Sequence, residues 1–219
     1  LGLSALMVIS GVAYNYFGKY TSLKAVPISI AHTLVFFIPY YLYTDSVTVF
    51  GILITSAYFV HHFYQIAVSG DIKDIDQDEA SLIQKLGAKL VDGEVMGVNY
   101  FITTNKILIF GYGTAVVEMF LAHGAVFYMN PSPYVIGITA IMGTLTIYDT
   151  DNMLQSGAFE REKRLEYISR REFFGYTMIH SGSILVIGWE AFAVLIISML
   201  VYLATVSKFI WGNWLVPDV

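Results

Sequence analysis

Residues 46–79 read SVTVFGILITSAYFVHHFYQIAVSGDIKDIDQDE, and the change of character inside this stretch decides the fold. Residues 46–70 contain no Asp, Glu, Lys or Arg, whereas residues 71–79 carry five acids and one lysine. An uncharged run of this kind meets the demand of a ~30 Å hydrocarbon core, which takes about 20 apolar residues as α-helix. The acidic run that follows marks the point where the chain regains water.

The same pattern repeats outward. Seven apolar segments are read at about 1–14, 26–43, 46–68, 106–128, 133–149, 172–188 and 190–207. Residues 173–206 form one long apolar stretch, and Gly188-Trp189-Glu190 is its expected break, since Gly weakens a helix and a carboxylate seeks the interface. Composition agrees: 56% of residues are apolar, 13% are charged, and mean hydropathy is +0.63. A soluble domain carries about twice that charge share. The fold expected is an all-α, polytopic membrane helical bundle of six or seven transmembrane helices, forming a single domain over 1–219.

Basic residues fall on alternate loops. Lys19 and Lys24 lie in one, Lys73, Lys85, Lys89 and Lys106 in or beside the next, and Arg161, Lys163, Arg164, Arg170 and Arg171 in a third. The turns at Thr44-Asp45 and Asn130-Pro131-Ser132-Pro133 carry none. Positive charge stays cytoplasmic, so the chain is expected to cross the cell membrane several times with its aspartate loop on the cytoplasmic side. With no cysteine, disulfides and thiolate chemistry are excluded. A net charge of −5 argues against nucleic acid as a partner and leaves membrane lipids.

Asp71, Asp74 and Asp78 stand at i, i+3 and i+7, which on a helix places them within about 60° of one another. Like charges so placed repel, and a divalent cation reverses the sign. Mg²⁺ takes carboxylate oxygens and bridges to substrate phosphates. A solvated loop explains the same residues without a ligand. An EF-hand does not, because position 6 is Glu79 and position 12 is Lys85.

Asp71-x-x-Asp74-x-x-x-Asp78, followed by Ile83-Gln84-Lys85-Leu86-Gly87-Ala88-Lys89-Leu90, resembles the second aspartate motif of the UbiA-type intramembrane prenyltransferases. Tyr14-Asn15-Tyr16-Phe17-Gly18-Lys19 is similar to the Tyr-Ser-x-x-x-Lys loop of that family, two helices upstream. The resemblance implies an enzyme that transfers an isoprenyl group from an isoprenyl diphosphate donor to a hydrophobic or aromatic acceptor in lipid or quinone-type biosynthesis. It implies Mg²⁺ held by Asp71, Asp74 and Asp78 as catalytic metal ligands. Tyr14, Asn15, Lys19 and Lys73 would meet the diphosphate, with Lys89 a further candidate. This sequence departs from the pattern in having Gln77 for a common Gly and Lys85 for a usual Thr. It also lacks the family's first aspartate motif, which the helix order would place upstream of Leu1 with about three further helices. Two other classes stay open: a non-catalytic membrane subunit of the same fold, and a cation-coupled carrier.

Glu118 sits inside an apolar run, where a carboxylate is expensive and faces the interior; two roles stay open for it, orienting an acceptor or pairing with His123 about one turn on. None of His32, His61, His62, His123 and His180 forms a haem-spaced pair on one span, so hydrogen-bonding or interfacial roles are expected for them, with ligation across helices by His123 and His180 as the alternative. Asp149 and Asp151 read as loop solvation, and Arg164, Arg170 and Arg171 as contacts for anionic headgroups.

Overall fold

The computed structural model describes residues 2–17, 21, 23–73, 75, 81–92 and 99–211. Helix α1 (Gly2–Phe17) packs on α2 (Ala25–Thr44), and α2 on α3 (Val49–Tyr64). A π-helical turn (Gln65–Gly70) and α4 (Asp71–Lys73) continue α3 without a break. After α5 (Leu82–Lys85), strands β1 (Lys89–Asp92) and β2 (Asn99–Ile102) pair antiparallel, Lys89 opposite Ile102. Helices α6 (Asn105–Tyr128) and α7 (Pro133–Leu154) follow, then β3 (Gly157–Ala158), α8 (Arg161–Ser181) and α9 (Ile184–Trp211). The chain packs α3 against α6, α6 against α7 and α7 against α8, and α8 closes back on α3 and α6.

Local chemistry sets these boundaries. Thr48 caps α3 by accepting the Gly51 N–H at 3.0 Å, and Tyr40 shares a 2.6 Å hydrogen bond with the same hydroxyl, tying the end of α2 to the start of α3. The expected turn at 130–133 is present: Asn130 takes φ 51° and Pro133 opens α7. Gly188 breaks the last helix with φ 80°, where the sequence placed a break.

Two expectations are corrected. Among the described residues, only α2 and α6 are long and apolar enough to cross a membrane, so a bundle of six or seven transmembrane helices is not what the chain forms. The apolar runs over-read the helices. At 16 residues, α1 is about 24 Å long at 1.5 Å per residue, short of a ~30 Å core. Helix α7 interleaves four threonines and ends in Asp149, Asp151 and Asn152, while α8 opens on Arg161-Glu162-Lys163-Arg164. Nor is the fold all-α, because β2 pairs with both β1 and β3 in a three-stranded antiparallel sheet. The sheet covers one end of the bundle's core: Phe101 is fully buried among Ile83, Ile107, Met153 and Leu154.

Candidate functional site

Three helices bring charged side chains into the interior. Arg171 of α8 places Nη2 2.5 Å from Glu118 Oε2 on α6, and His61 Nδ1 of α3 lies 2.7 Å from Glu118 Oε1. All three are 0% exposed. Buried charges persist only when paired, and here each carboxylate oxygen has its own partner. The Arg171 guanidinium also lies 3.7 Å from the Tyr64 ring centroid, a cation–π contact. Gly175 makes the approach possible: a Cβ there would stand 2.6 Å from His61 Cε1 and 2.8 Å from Glu118 Oε1. His123, the partner expected for Glu118, instead bonds its own helix at the Met119 carbonyl, 2.8 Å away.

Beside this triad lies a second polar group. His62 Nδ1 is 3.0 Å from Gln65 Oε1 and 3.3 Å from His32 Nδ1, while the Tyr176 hydroxyl lies 3.3 Å from His62 Nε2. The Tyr58 ring stands edge-on to His62 at 4.7 Å. Glu172 lies one helical turn before Tyr176 on α8. Burial pushes the Glu172 carboxyl up to about 7, against the opposing pull of Arg171, Gln65 and Lys73. Gln65 is the first residue of the π-helical turn, a feature common at functional sites.

That turn delivers Asp71 to the end of the helix. Asp71 is 1% exposed; its Oδ1 lies 2.9 Å from Lys24 Nζ, and its Oδ2 accepts the Leu82 N–H at 2.7 Å. Lys24 stands at the head of α2 and Ser81–Leu82 at the head of α5, so three segments converge on one carboxylate. Lys73 is half-buried in the same turn as Asp71. Asp74, Asp78 and Lys19 lie outside the described residues. Tyr14 and Asn15 sit in the last turns of α1, half-buried and exposed respectively.

The fit to Mg²⁺ therefore rests on Asp71. Its oxygens are the hard donors the ion takes, and Lys24 is already on one of them. Among the described residues, no cluster of three His, Cys, Asp or Glu side chains could hold a metal.

The basic residues expected at lipid headgroups divide. Arg164 is buried, donates to the Met153 and Gln155 carbonyls, and lies 4.4 Å from the Phe101 ring centroid; desolvation lowers its pKa to about 10. Arg171 belongs to the triad. Arg170 stays partly exposed and pairs at 3.1 Å with Asp149, which is 0% exposed where loop solvation was expected. Burial raises the Asp149 pKa and Arg170 opposes the rise.

Sequence reasoning missed Lys24 as a partner of Asp71, and missed Gln65, Glu172 and Tyr176 altogether. Glu172 and Tyr176 share a helix face at i, i+4, a signal present in the sequence; Gln65 was signalled only as a lone amide in an apolar run. A scan against protein-family models finds no match for this chain, and comparisons with curated proteins and with solved structures find none either.

Proposed function

We propose that this chain is a membrane-associated prenyltransferase, moving an isoprenyl group from an isoprenyl diphosphate to an acceptor in a Mg²⁺-dependent reaction, with Asp71 on the donor's diphosphate side. One observation carries the reading: a buried aspartate at a helix end, flanked by Lys24 and Lys73, stands above an interior lined with histidine and tyrosine. Carboxylate and ammonium together suit a metal-bound diphosphate, the carboxylate for the ion and the ammonium for phosphate oxygens. When bound, the ion would neutralise the departing diphosphate. Lys24 and Lys73 orient it, and the packed aromatic interior excludes water from an allylic cation. The apolar outer faces of α2 and α6, with Val35, Leu42, Ile109 and Phe120 exposed, suit a lipid setting.

The test is transfer of radiolabelled geranylgeranyl diphosphate to an acceptor panel by the full chain in lipid, with and without Mg²⁺, beside Asp71→Asn. Mg²⁺-dependent transfer lost in the variant is the expected outcome. Equal pyrophosphate release by both proteins, or none by either, sinks the reading. A second reading, a non-catalytic membrane subunit, is favoured by the occupation of both Asp71 oxygens by Lys24 and the Leu82 N–H. It predicts donor binding without turnover.

A further inference from the structure

Two histidines on different helices turn the same ring atom towards each other. His32 Nδ1 of α2 and His62 Nδ1 of α3 lie 3.3 Å apart, and Gln65 Oε1, at the start of the π-helical turn, lies 3.0 Å from His62 Nδ1. A neutral imidazole Nδ1 either donates or accepts, and an amide oxygen only accepts. If His62 Nδ1 donates, Gln65 Oε1 and His32 Nδ1 share its one proton. If it accepts from His32, its lone pair faces that of Gln65 Oε1. Neither arrangement gives each contact a proton of its own, whereas one cation takes a lone pair from all three atoms.

The spacings suit an ion. Donors bound at about 2.0–2.1 Å stand about 2.9 Å apart at a right angle and about 3.4 Å apart at the tetrahedral angle. The observed separations, 3.0 and 3.3 Å, fall between these limits. Among the described residues, no third histidine or carboxylate completes a cluster with the pair, so the donor set is two imidazoles and one amide oxygen, with the remaining positions left to water. The Tyr176 hydroxyl stands 3.3 Å from Nε2 and 3.4 Å from Nδ1 of His62, beside the ring and off both lone pairs, and is not a ligand. The Tyr58 ring packs edge-on to His62 at 4.7 Å and limits its rotation. His62 is 5% exposed and His32 is exposed, so the pair is rooted in the bundle and reached from α2.

This place is separate from the aspartate. His32 stands eight residues beyond Lys24 and His62 nine before Asp71, so both helices put the pair about 12–13 Å from the Lys24–Asp71 contact at 1.5 Å per residue. The chemistry separates them too: imidazole suits Zn²⁺, Cu²⁺ and Ni²⁺, whereas carboxylate and water oxygens suit Mg²⁺. We propose that His32, His62 and Gln65 bind one divalent transition-metal ion of the Zn²⁺ and Cu²⁺ class, and that the ion staples α2 to α3. The site stands independently of prenyl transfer. An ion held only by the folded chain stabilises it by mass action.

The experiment uses the full chain without an affinity tag, stripped with chelator and reconstituted in lipid nanodiscs, with Zn²⁺ alone and Cu²⁺ alone as probes. Wild type is expected to take up one equivalent of Zn²⁺ and to unfold at a higher temperature with it. With one equivalent of Cu²⁺, its electron paramagnetic resonance spectrum should show nitrogen coupling from two imidazoles. His32→Ala changes an exposed side chain and should unfold as the metal-free wild type does, yet lose the Zn²⁺ shift and the two-nitrogen pattern. His62→Asn should lose both as well. Asp71→Asn and His123→Ala should keep both, which distinguishes this site from the aspartate and from the other histidines. No stoichiometric uptake by the wild type overturns the site, as does a His32→Ala protein that retains the shift and the two-nitrogen spectrum. A shift lost in Asp71→Asn and kept in His32→Ala places the ion on the aspartate and overturns it equally.

Discussion

Arg171 Nη2 stands 2.5 Å from Glu118 Oε2, and solvent reaches neither side chain. Removing one partner of a buried pair leaves an uncompensated charge, whereas removing both does not. Glu118→Leu and Arg171→Met are each expected to cost about 3–5 kcal/mol. The double variant should recover most of the loss. Denaturant unfolding of the three proteins checks this; strictly additive losses would mean that the pair is not coupled.

Gly175 is where α8 comes against His61 and Glu118. Gly175→Ala should destabilise by about 1–3 kcal/mol through overpacking. Gly113→Ala on α6 meets open space and should be neutral or stabilising by up to about 1 kcal/mol. A thermal-shift comparison in one detergent would decide, and equal effects at the two sites would contradict the packing.

Glu172 ionises at about 7 in the folded protein against an ordinary value of 4.5. Between these values the native state holds a proton that the unfolded chain has lost, so stability falls as pH rises through that window. Glu172→Gln should flatten this dependence. The wild-type minus variant difference in unfolding free energy, followed from pH 4.5 to 7, is the measurement; a difference that does not change with pH would refute it.

Lys24 and Asp71 separate structure from chemistry. Lys24→Met should cost about 1–3 kcal/mol by leaving a buried acceptor short of its partner. The exchange Lys24→Asp/Asp71→Lys should regain part of that stability, yet it should restore no Mg²⁺-dependent transfer, because the carboxylate no longer ends the helix. Recovery of transfer by the exchanged protein would place the donor elsewhere.

Much of the helix order was legible in the sequence because apolar runs and turn chemistry are local. Thr44-Asp45, Asn130-Pro131 and Gly188 all end helical segments where they were expected to. The number of membrane crossings was not legible, because hydropathy windows ignore where a helix starts and stops: α3 needs the π-helical turn to go on, and α8 begins in a charged run that the window at 172–188 left out. The sheet escaped because each strand has four residues or fewer. Glu118 was recognised as an inward carboxylate, but its partners lie 57 and 53 residues away, and only the tertiary fold selects His61 and Arg171 over the neighbouring His123.

The π-helical turn has a consequence for the phase of the helix. Such a turn amounts to one residue inserted into an α-helix, and one residue is worth about 100° of rotation. Everything beyond Gly70 is turned by that angle relative to a straight continuation of α3. Deleting Ala67 would restore the regular winding and swing Asp71 away from Lys24 towards another wall of the bundle, with no change to any residue that touches either one. The aspartate's bearing is thus written in a count of residues upstream, where substitution scanning would not find it and a one-residue deletion would.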